Sequence, residues 1–152
     1  MFKIPRTPGV YVLIVHLSTS TTLTIGALGV VSLPAGFYAY VGSAMGPGGL
    51  YARIKRHLSS KKRIKWHIDY VLKAGKIVGV IYGASNIKRE CEVASLIARK
   101  YNFVVKKLGS TDCKCISHFF YIGESRDSVK SFLEYITTIG NIIGVSFSLT
   151  WV

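Results

Sequence analysis

The sequence predicts an α+β fold, in which strands and helices alternate within one domain. Runs rich in β-branched and aromatic residues, typical of strands, occupy 9–17, 36–41 and 76–84. Helical patterns follow the second and third of these runs. The chain has 152 residues, of which 49% are apolar, so it can build a core and is too apolar for disorder. No repeat, low-complexity segment or linker interrupts it, which predicts a single domain over 1–152.

The first strand, 9–17, reads GVYVLIVHL. Side chains alternate across a strand, so Tyr11, Leu13 and Val15 are expected on one face and their neighbours on the other. A polar turn is predicted over 18–22. The segment 23–33 then predicts two short strands around Gly26 and Gly29.

Residues 36–58 organise the rest of the chain, because they combine a strand, a glycine-rich turn and a basic helix. Glycines from Gly42 to Gly49 predict the turn. Leu50, Ile54 and Leu58 then form an apolar helical stripe. This arrangement leaves three cations on the polar flanks: Arg53, Arg56 and His57. They are compatible with a phosphate site or with an ordinary solvated basic face.

The later elements follow from the same rules. The predictions are a helix over 66–73, a strand over 76–84 and a helix that continues to about residue 100 and ends before 103–105. A turn that enters a strand is predicted over 109–123, followed by a helix over 129–136. A turn at 140–141 and a final strand within 142–152 complete the chain. Residues 124–152 are expected to form a helix and strand extension.

The charge of the chain points to a polyanionic partner. Lys and Arg number 20 against 7 Asp and Glu, a formal net charge of +13. Nucleic acid, most simply DNA, is the expected partner, while a membrane surface and a merely basic protein are the alternatives. The basic run 59–65, with Lys61, Lys62 and Arg63, is either a solvated loop or a contact with the DNA backbone.

The cysteine count and the N-terminus predict a cytoplasmic protein. Three cysteines and no apolar leader argue against a secreted disulfide scaffold. No run approaches the roughly 18 apolar residues of a membrane span, so no membrane insertion is expected. The oligomeric state is left open.

Several polar residues outside the central segment are candidates for chemistry. Glu90 and Glu92 lie two apart on a helix and therefore point in different directions, and either is otherwise a surface carboxylate. Cys113, Cys115 and His118 suggest zinc only weakly, because C-x-C is not the usual spacing and no second pair follows. A buried structural turn, or a substrate contact by Ser117 or His118, are the alternatives.

Several motifs together resemble the GIY-YIG nuclease superfamily. Gly9-Val10-Tyr11 and Tyr40-Val41-Gly42 are similar to its two signature tripeptides. Leu50, Arg53-Ile54 and His57 are similar to its L-x-x-R-[VI]-x-x-H helix. The stretches YVGSAMGPGGLYARIKRHL, WHIDYVL, RECEVA and GSTDCKCISHFFY resemble more narrowly the Uri-type endonuclease-like branch, over about 7–123.

This resemblance implies a small, mainly antiparallel sheet flanked by helices, with an extra hairpin between the signature strands. It implies hydrolysis of phosphodiester bonds in DNA with Mg²⁺ or Mn²⁺. Tyr11 would then serve as general base or orient the water, Tyr40 would bind phosphate or water, and Arg53 would stabilise phosphate charge. His57 would support the phosphate or Tyr11. Glu92 would hold the metal, and Glu90 is the alternative candidate for that role.

Further residues are expected around this site. Many relatives have a basic residue where this chain has Ser43, a loss that Lys55 or Arg56 could offset or that could weaken catalysis. The expected nucleic-acid contacts are Ser43, Lys55, Arg56, Lys61, Lys62, Arg63 and His67, and the possible outer residues are Asp112, Cys113, Cys115 and His118. The alternatives to a nuclease are a binding module without catalysis and, last, a peripheral-membrane or structural protein.

Overall fold

A computed structural model describes residues 3–102 and 105–152. The strands are β1 Gly9–Leu17, β2 Thr21–Thr24, β3 Val30–Leu33, β4 Gly36–Ala44, β5 Lys76–Ala84, β6 Phe119–Gly123 and β7 Ser148–Trp151. The helices are α1 Gly49–Leu58, α2 His67–Val71, α3 Glu90–Ile97 and α4 Arg126–Ile143, with a short 3₁₀ turn over Gly26–Leu28. Within these ranges no helix combines the length and apolar character needed to cross a membrane.

The main sheet has five strands in the order β6-β4-β1-β5-β7, and every neighbouring pair is antiparallel. Strands β2 and β3 form a separate hairpin between β1 and β4. The α+β class, the antiparallel sheet with flanking helices and the inserted hairpin are therefore confirmed. Because β1 is central and pairs on both edges, its position fixes the neighbouring strands.

The alternation predicted for β1 is confirmed, and it divides the core into two layers. Tyr11, Leu13 and Val15 pack on the face covered by α1, α2 and the hairpin. Val10, Val12 and Ile14 pack on the opposite face, under α3 and α4. The functional side chains described below belong to the first layer.

The largest error in the sequence prediction concerns α4, which runs through residues 140–141 where a turn was expected. A Cβ at Gly140 would lie 2.6 Å from the carbonyl oxygen of Val145 and 2.9 Å from Phe147. The glycine therefore lets the following segment fold back onto the helix, and the helix ends instead at Ile143, capped by Gly144 in the left-handed conformation. The final strand is β7 alone.

Other boundaries also differ from the prediction. Helix α3 ends at Ile97 instead of near residue 100, and β2 begins within the predicted polar turn. Of the β-favouring segment 103–105, residues 103–104 lie outside the described part of the chain. Strand β4 continues through Gly42, which was expected to begin the turn.

Candidate functional site

The pairing of β1 with β4 brings the two signature tyrosines to one face. Tyr11 lies opposite Gly42, and Leu13 lies opposite Tyr40, so the two phenols are diagonal neighbours. A Cβ at Gly42 would lie 2.4 Å from the Tyr11 hydroxyl oxygen. Because any side chain at that position would collide with the phenol, Gly42 is required for the observed position of Tyr11.

Helix α1 places His57 directly against the two tyrosines. Its Nε2 lies 2.7 Å from the Tyr11 hydroxyl oxygen, at hydrogen-bonding distance. The imidazole ring also packs against the rings of Tyr40 and Trp66. Nδ1 of His57 is buried and has no hydrogen-bond partner among the described residues.

Burial sets the protonation states of this group. It lowers the pKa of His57 to about 3, and nearby Asp69 only partly opposes the shift. Burial also raises the pKa of both Tyr11 and Tyr40, while the Arg53 guanidinium acts in the opposite direction. At neutral pH the imidazole and both phenols are therefore uncharged.

Arg53 is held in place by two contacts. Its Nη1 donates a hydrogen bond to the carbonyl oxygen of Ser43, at 2.9 Å. Its guanidinium carbon lies 4.6 Å from the centre of the Trp66 ring. These contacts fix a permanent positive charge beside the tyrosines.

Arg56 is engaged in an ion pair with Asp69. Its two terminal nitrogens donate to the two carboxylate oxygens at 3.2 and 3.0 Å, and its guanidinium also lies over Trp66. Asp69 accepts from the backbone N–H groups of Lys65 and Trp66 as well. Burial alone would raise the pKa of the Asp69 carboxyl, but these hydrogen bonds keep the pKa below its usual value. Arg56 therefore joins α1 to the start of α2.

The tyrosines and Arg53 open onto a cavity of about 440 Å³. Side chains from six segments line it, and the polar and aromatic ones are Tyr11, Tyr40, Ser43, Arg53, Lys65, Trp66, His67, Lys88, Glu90, Thr111 and Asp112. Its wall thus combines phenols, cations and two carboxylates. Such a cavity can accommodate a phosphate group together with a cation.

Of the two candidate glutamates on α3, Glu90 lines this cavity and Glu92 does not. Glu90 lines the cavity and pairs with Lys88 at 3.1 Å. Glu92 instead pairs with Arg89 at 2.8 Å, and its side chain is 47% exposed. The expectation that Glu92 occupies the site is corrected accordingly, because residues two apart on α3 face different directions.

The other expected nucleic-acid contacts fall into three groups. Ser43 and His67 line the cavity, and Nδ1 of His67 accepts a hydrogen bond from the backbone N–H of Gly109. Lys55, Lys61 and Arg63 are exposed outside it. Lys62 donates to the carbonyl oxygens of His57 and Ser59, so it stabilises the C-terminal end of α1.

Sequence reasoning did not single out several of the cavity residues, among them Lys65, Trp66 and Lys88. The spacing of Trp66 and Asp69 does indicate a contact between them. An acidic residue at the third position of a helix commonly accepts a hydrogen bond from the backbone N–H of the residue that precedes the helix. Asp112 lines the cavity, whereas Cys113, Cys115 and His118 gather with Cys91 beside its wall.

The fold and cavity define an α+β protein with a basic, tyrosine-lined polar site on one face of an antiparallel sheet. The model of the family described as "domain of unknown function DUF123" matches residues 10–141. The chain belongs to that family. No curated protein and no solved structure matches it.

Proposed function

We propose that this protein is a divalent-metal-dependent endonuclease that hydrolyses phosphodiester bonds in DNA. One observation carries the proposal. Tyr11, Tyr40, Arg53 and Glu90 are remote in the sequence, yet all four line one cavity. The residues that resemble the GIY-YIG signature thus converge with a carboxylate in a strongly basic chain.

The oxygen donors of the cavity fit a hard cation. Mg²⁺ is usually held by one or two carboxylates and keeps several waters, and Mn²⁺ accepts the same kind of ligand. Glu90 would hold the cation, and Asp112 offers a second carboxylate on the same wall. When bound, the cation would supply charge stabilisation at the phosphoryl and leaving oxygens.

Arg53 provides the second positive charge. Its contacts with Ser43 and Trp66 orient the guanidinium before substrate arrives, so little reorganisation is needed when negative charge develops on the phosphate. The planar guanidinium can also donate two parallel hydrogen bonds to phosphate oxygens. We therefore assign phosphate binding and charge stabilisation to Arg53.

The Tyr11–His57 pair positions the attacking water. A neutral imidazole that carries its proton on Nδ1 can accept a hydrogen bond from the Tyr11 O–H at Nε2. The Tyr11 oxygen can then accept a hydrogen bond from water. Tyr40, beside it, would hydrogen-bond the phosphate or the water. The exposed Lys55, Lys61 and Arg63 would contact the DNA backbone outside the cavity.

A matched pair of carboxylate variants tests this function. Glu90→Gln is expected to abolish Mg²⁺- or Mn²⁺-dependent cleavage of duplex, single-stranded or branched DNA, while Glu92→Gln on the same helix retains it. Arg53→Ala is expected to lower the rate by about 10²–10³-fold. Circular dichroism establishes that each variant is folded. Equal cleavage by wild type, Glu90→Gln and Arg53→Ala would assign the activity to a contaminant.

A nucleic-acid-binding module without catalysis is the second candidate. The observation that favours it is the burial of both phenols, which raises the pKa of each and leaves neither ionised near neutrality. This alternative predicts salt-sensitive DNA binding without turnover under any divalent metal.

A further inference from the structure

All three cysteines of the chain meet one histidine beside the cavity. The ligand atoms of Cys91, Cys113, Cys115 and His118 all lie within 4.8 Å of one another. Nε2 of His118 is 3.6 Å from the sulfur of Cys113 and 3.9 Å from that of Cys91. Cys91 comes from the first turn of α3, and the other three from the segment that leads into β6.

These distances are close to those of a tetrahedral metal site. Zn–S bonds of about 2.3 Å and Zn–N bonds of about 2.0 Å, at tetrahedral angles, place ligand atoms roughly 3.5–3.8 Å apart. The two sulfur–nitrogen distances agree with this spacing within a few tenths of an ångström. None of the three cysteines forms a disulfide.

The segment before β6 is folded so that its sulfurs converge. The ammonium group of Lys107 donates to the carbonyl oxygens of Cys113 and Cys115, at 2.9 and 3.1 Å. The backbone N–H of His118 donates to the carbonyl oxygen of Leu108. The imidazole of His118 is 1% exposed, and its Nδ1 is buried without a hydrogen-bond partner among the described residues.

We propose that Cys91, Cys113, Cys115 and His118 bind one Zn²⁺ ion in a structural site. Three sulfurs and one imidazole nitrogen are a known zinc ligand set, and four protein ligands leave no open position for substrate. The three thiols release their protons to solvent when the metal binds. The sequence alone does not indicate the site, because its fourth ligand, Cys91, lies 22 residues before Cys113.

The zinc ion would fix one wall of the cavity. It would connect the start of α3, which carries Glu90, to the segment that carries Asp112. Metal bonding through Nε2 leaves the proton of His118 on Nδ1, which lies 3.9 Å from a carboxylate oxygen of Glu90. At that distance the N–H would attract the carboxylate only electrostatically, without a hydrogen bond.

Metal analysis of the purified full chain tests the site without reference to DNA cleavage. Protein produced with added zinc is expected to contain about one zinc per chain by mass spectrometry of metals. Replacement by Co²⁺ is expected to give the d–d bands of tetrahedral cobalt and a thiolate charge-transfer band. Cys113→Ser, which removes a ligand itself, is expected to weaken zinc affinity by about tenfold or more, measured by competition with a chelator.

The matched control is Ile116→Ser, which changes an exposed side chain in the same segment and is expected to keep full zinc content. The wild-type measurements remain decisive even if Cys113→Ser does not fold. Wild type without zinc, an octahedral cobalt spectrum, absorption of an iron–sulfur cluster, or a disulfide between two of the cysteines would each overturn the proposal.

Discussion

The Tyr11 hydroxyl oxygen and Nε2 of His57 lie 2.7 Å apart, and both residues are almost fully buried. A buried phenol and a buried imidazole at this distance are restricted in both orientation and protonation. They join the centre of the sheet to α1, so the pair matters for stability as well as for the proposed chemistry.

The burial of His57 predicts a specific pH dependence of stability. Its pKa is about 3 in the folded chain, against about 6.5 when exposed. Between these values only the unfolded chain binds the proton, so acidification favours unfolding. From pH 7 to pH 5, wild type is expected to lose about 2 kcal/mol more unfolding free energy than His57→Gln, measured by urea denaturation. Equal losses in the two proteins would contradict the buried, neutral imidazole.

The contact between Gly42 and Tyr11 predicts the effect of adding one methyl group. Gly42→Ala places a Cβ against the phenol and is expected to lower the unfolding free energy by about 1–3 kcal/mol. Gly46→Ala is the control, since its Cβ would have no atom within 4 Å. Urea denaturation of both variants provides the comparison. A Gly42→Ala protein as stable as Gly46→Ala would show that Tyr11 can move aside.

Asp69 does not line the cavity, but it is expected to be important for stability. Asp69→Ala removes the acceptor of four hydrogen bonds, two from Arg56 and one each from the backbone N–H groups of Lys65 and Trp66, and leaves Arg56 only the carbonyl oxygen of Arg63; the change should cost about 3 kcal/mol. Glu92→Ala removes the exposed ion pair with Arg89 and should cost less than about 1 kcal/mol. Thermal and urea unfolding measure both effects. Similar losses would refute the structural role given to the Arg56–Asp69 pair.

The adjacent lysines of the basic run are expected to behave differently. Lys61 is exposed, so Lys61→Ala should reduce the slope of log K against log salt for DNA binding by about 1. Lys62 bonds to carbonyl oxygens at the end of α1, so Lys62→Ala should instead lower stability by about 1 kcal/mol. Fluorescence anisotropy over a salt series and urea denaturation separate the two outcomes, and a reversal of these roles would count against the assignment.

Local patterns predicted the elements that alternation or a strict helical stripe defines. The bounds of β1 and β5 were obtained in full, and the stripe of Leu50, Ile54 and Leu58 located α1. The same reasoning failed for Gly42 and Gly140, which have glycine because another segment packs closely against them. A close tertiary approach of this kind leaves no periodic signal in the sequence.

The candidate site was predictable only in part. The motif resemblance selected Tyr11, Tyr40, Arg53 and His57, and the structure brings them together. Whether Glu90 or Glu92 faces the cavity depends on the rotation of α3 about its own axis. That rotation is set by the packing of the helix on the strands beneath it. The sequence does not show that Cys91 lies beside the later cysteines, because their proximity depends on the packing of α3 against the sheet.

Trp66 lies against the guanidinium groups of both Arg53 and Arg56 and lines the cavity. The chain has one other tryptophan, Trp151, in the edge strand β7. A Trp151→Phe chain would therefore carry a single indole, whose emission would change when a ligand enters the cavity that Trp66 lines. The protein thus contains its own optical reporter of occupancy, usable in stopped-flow experiments without any attached dye.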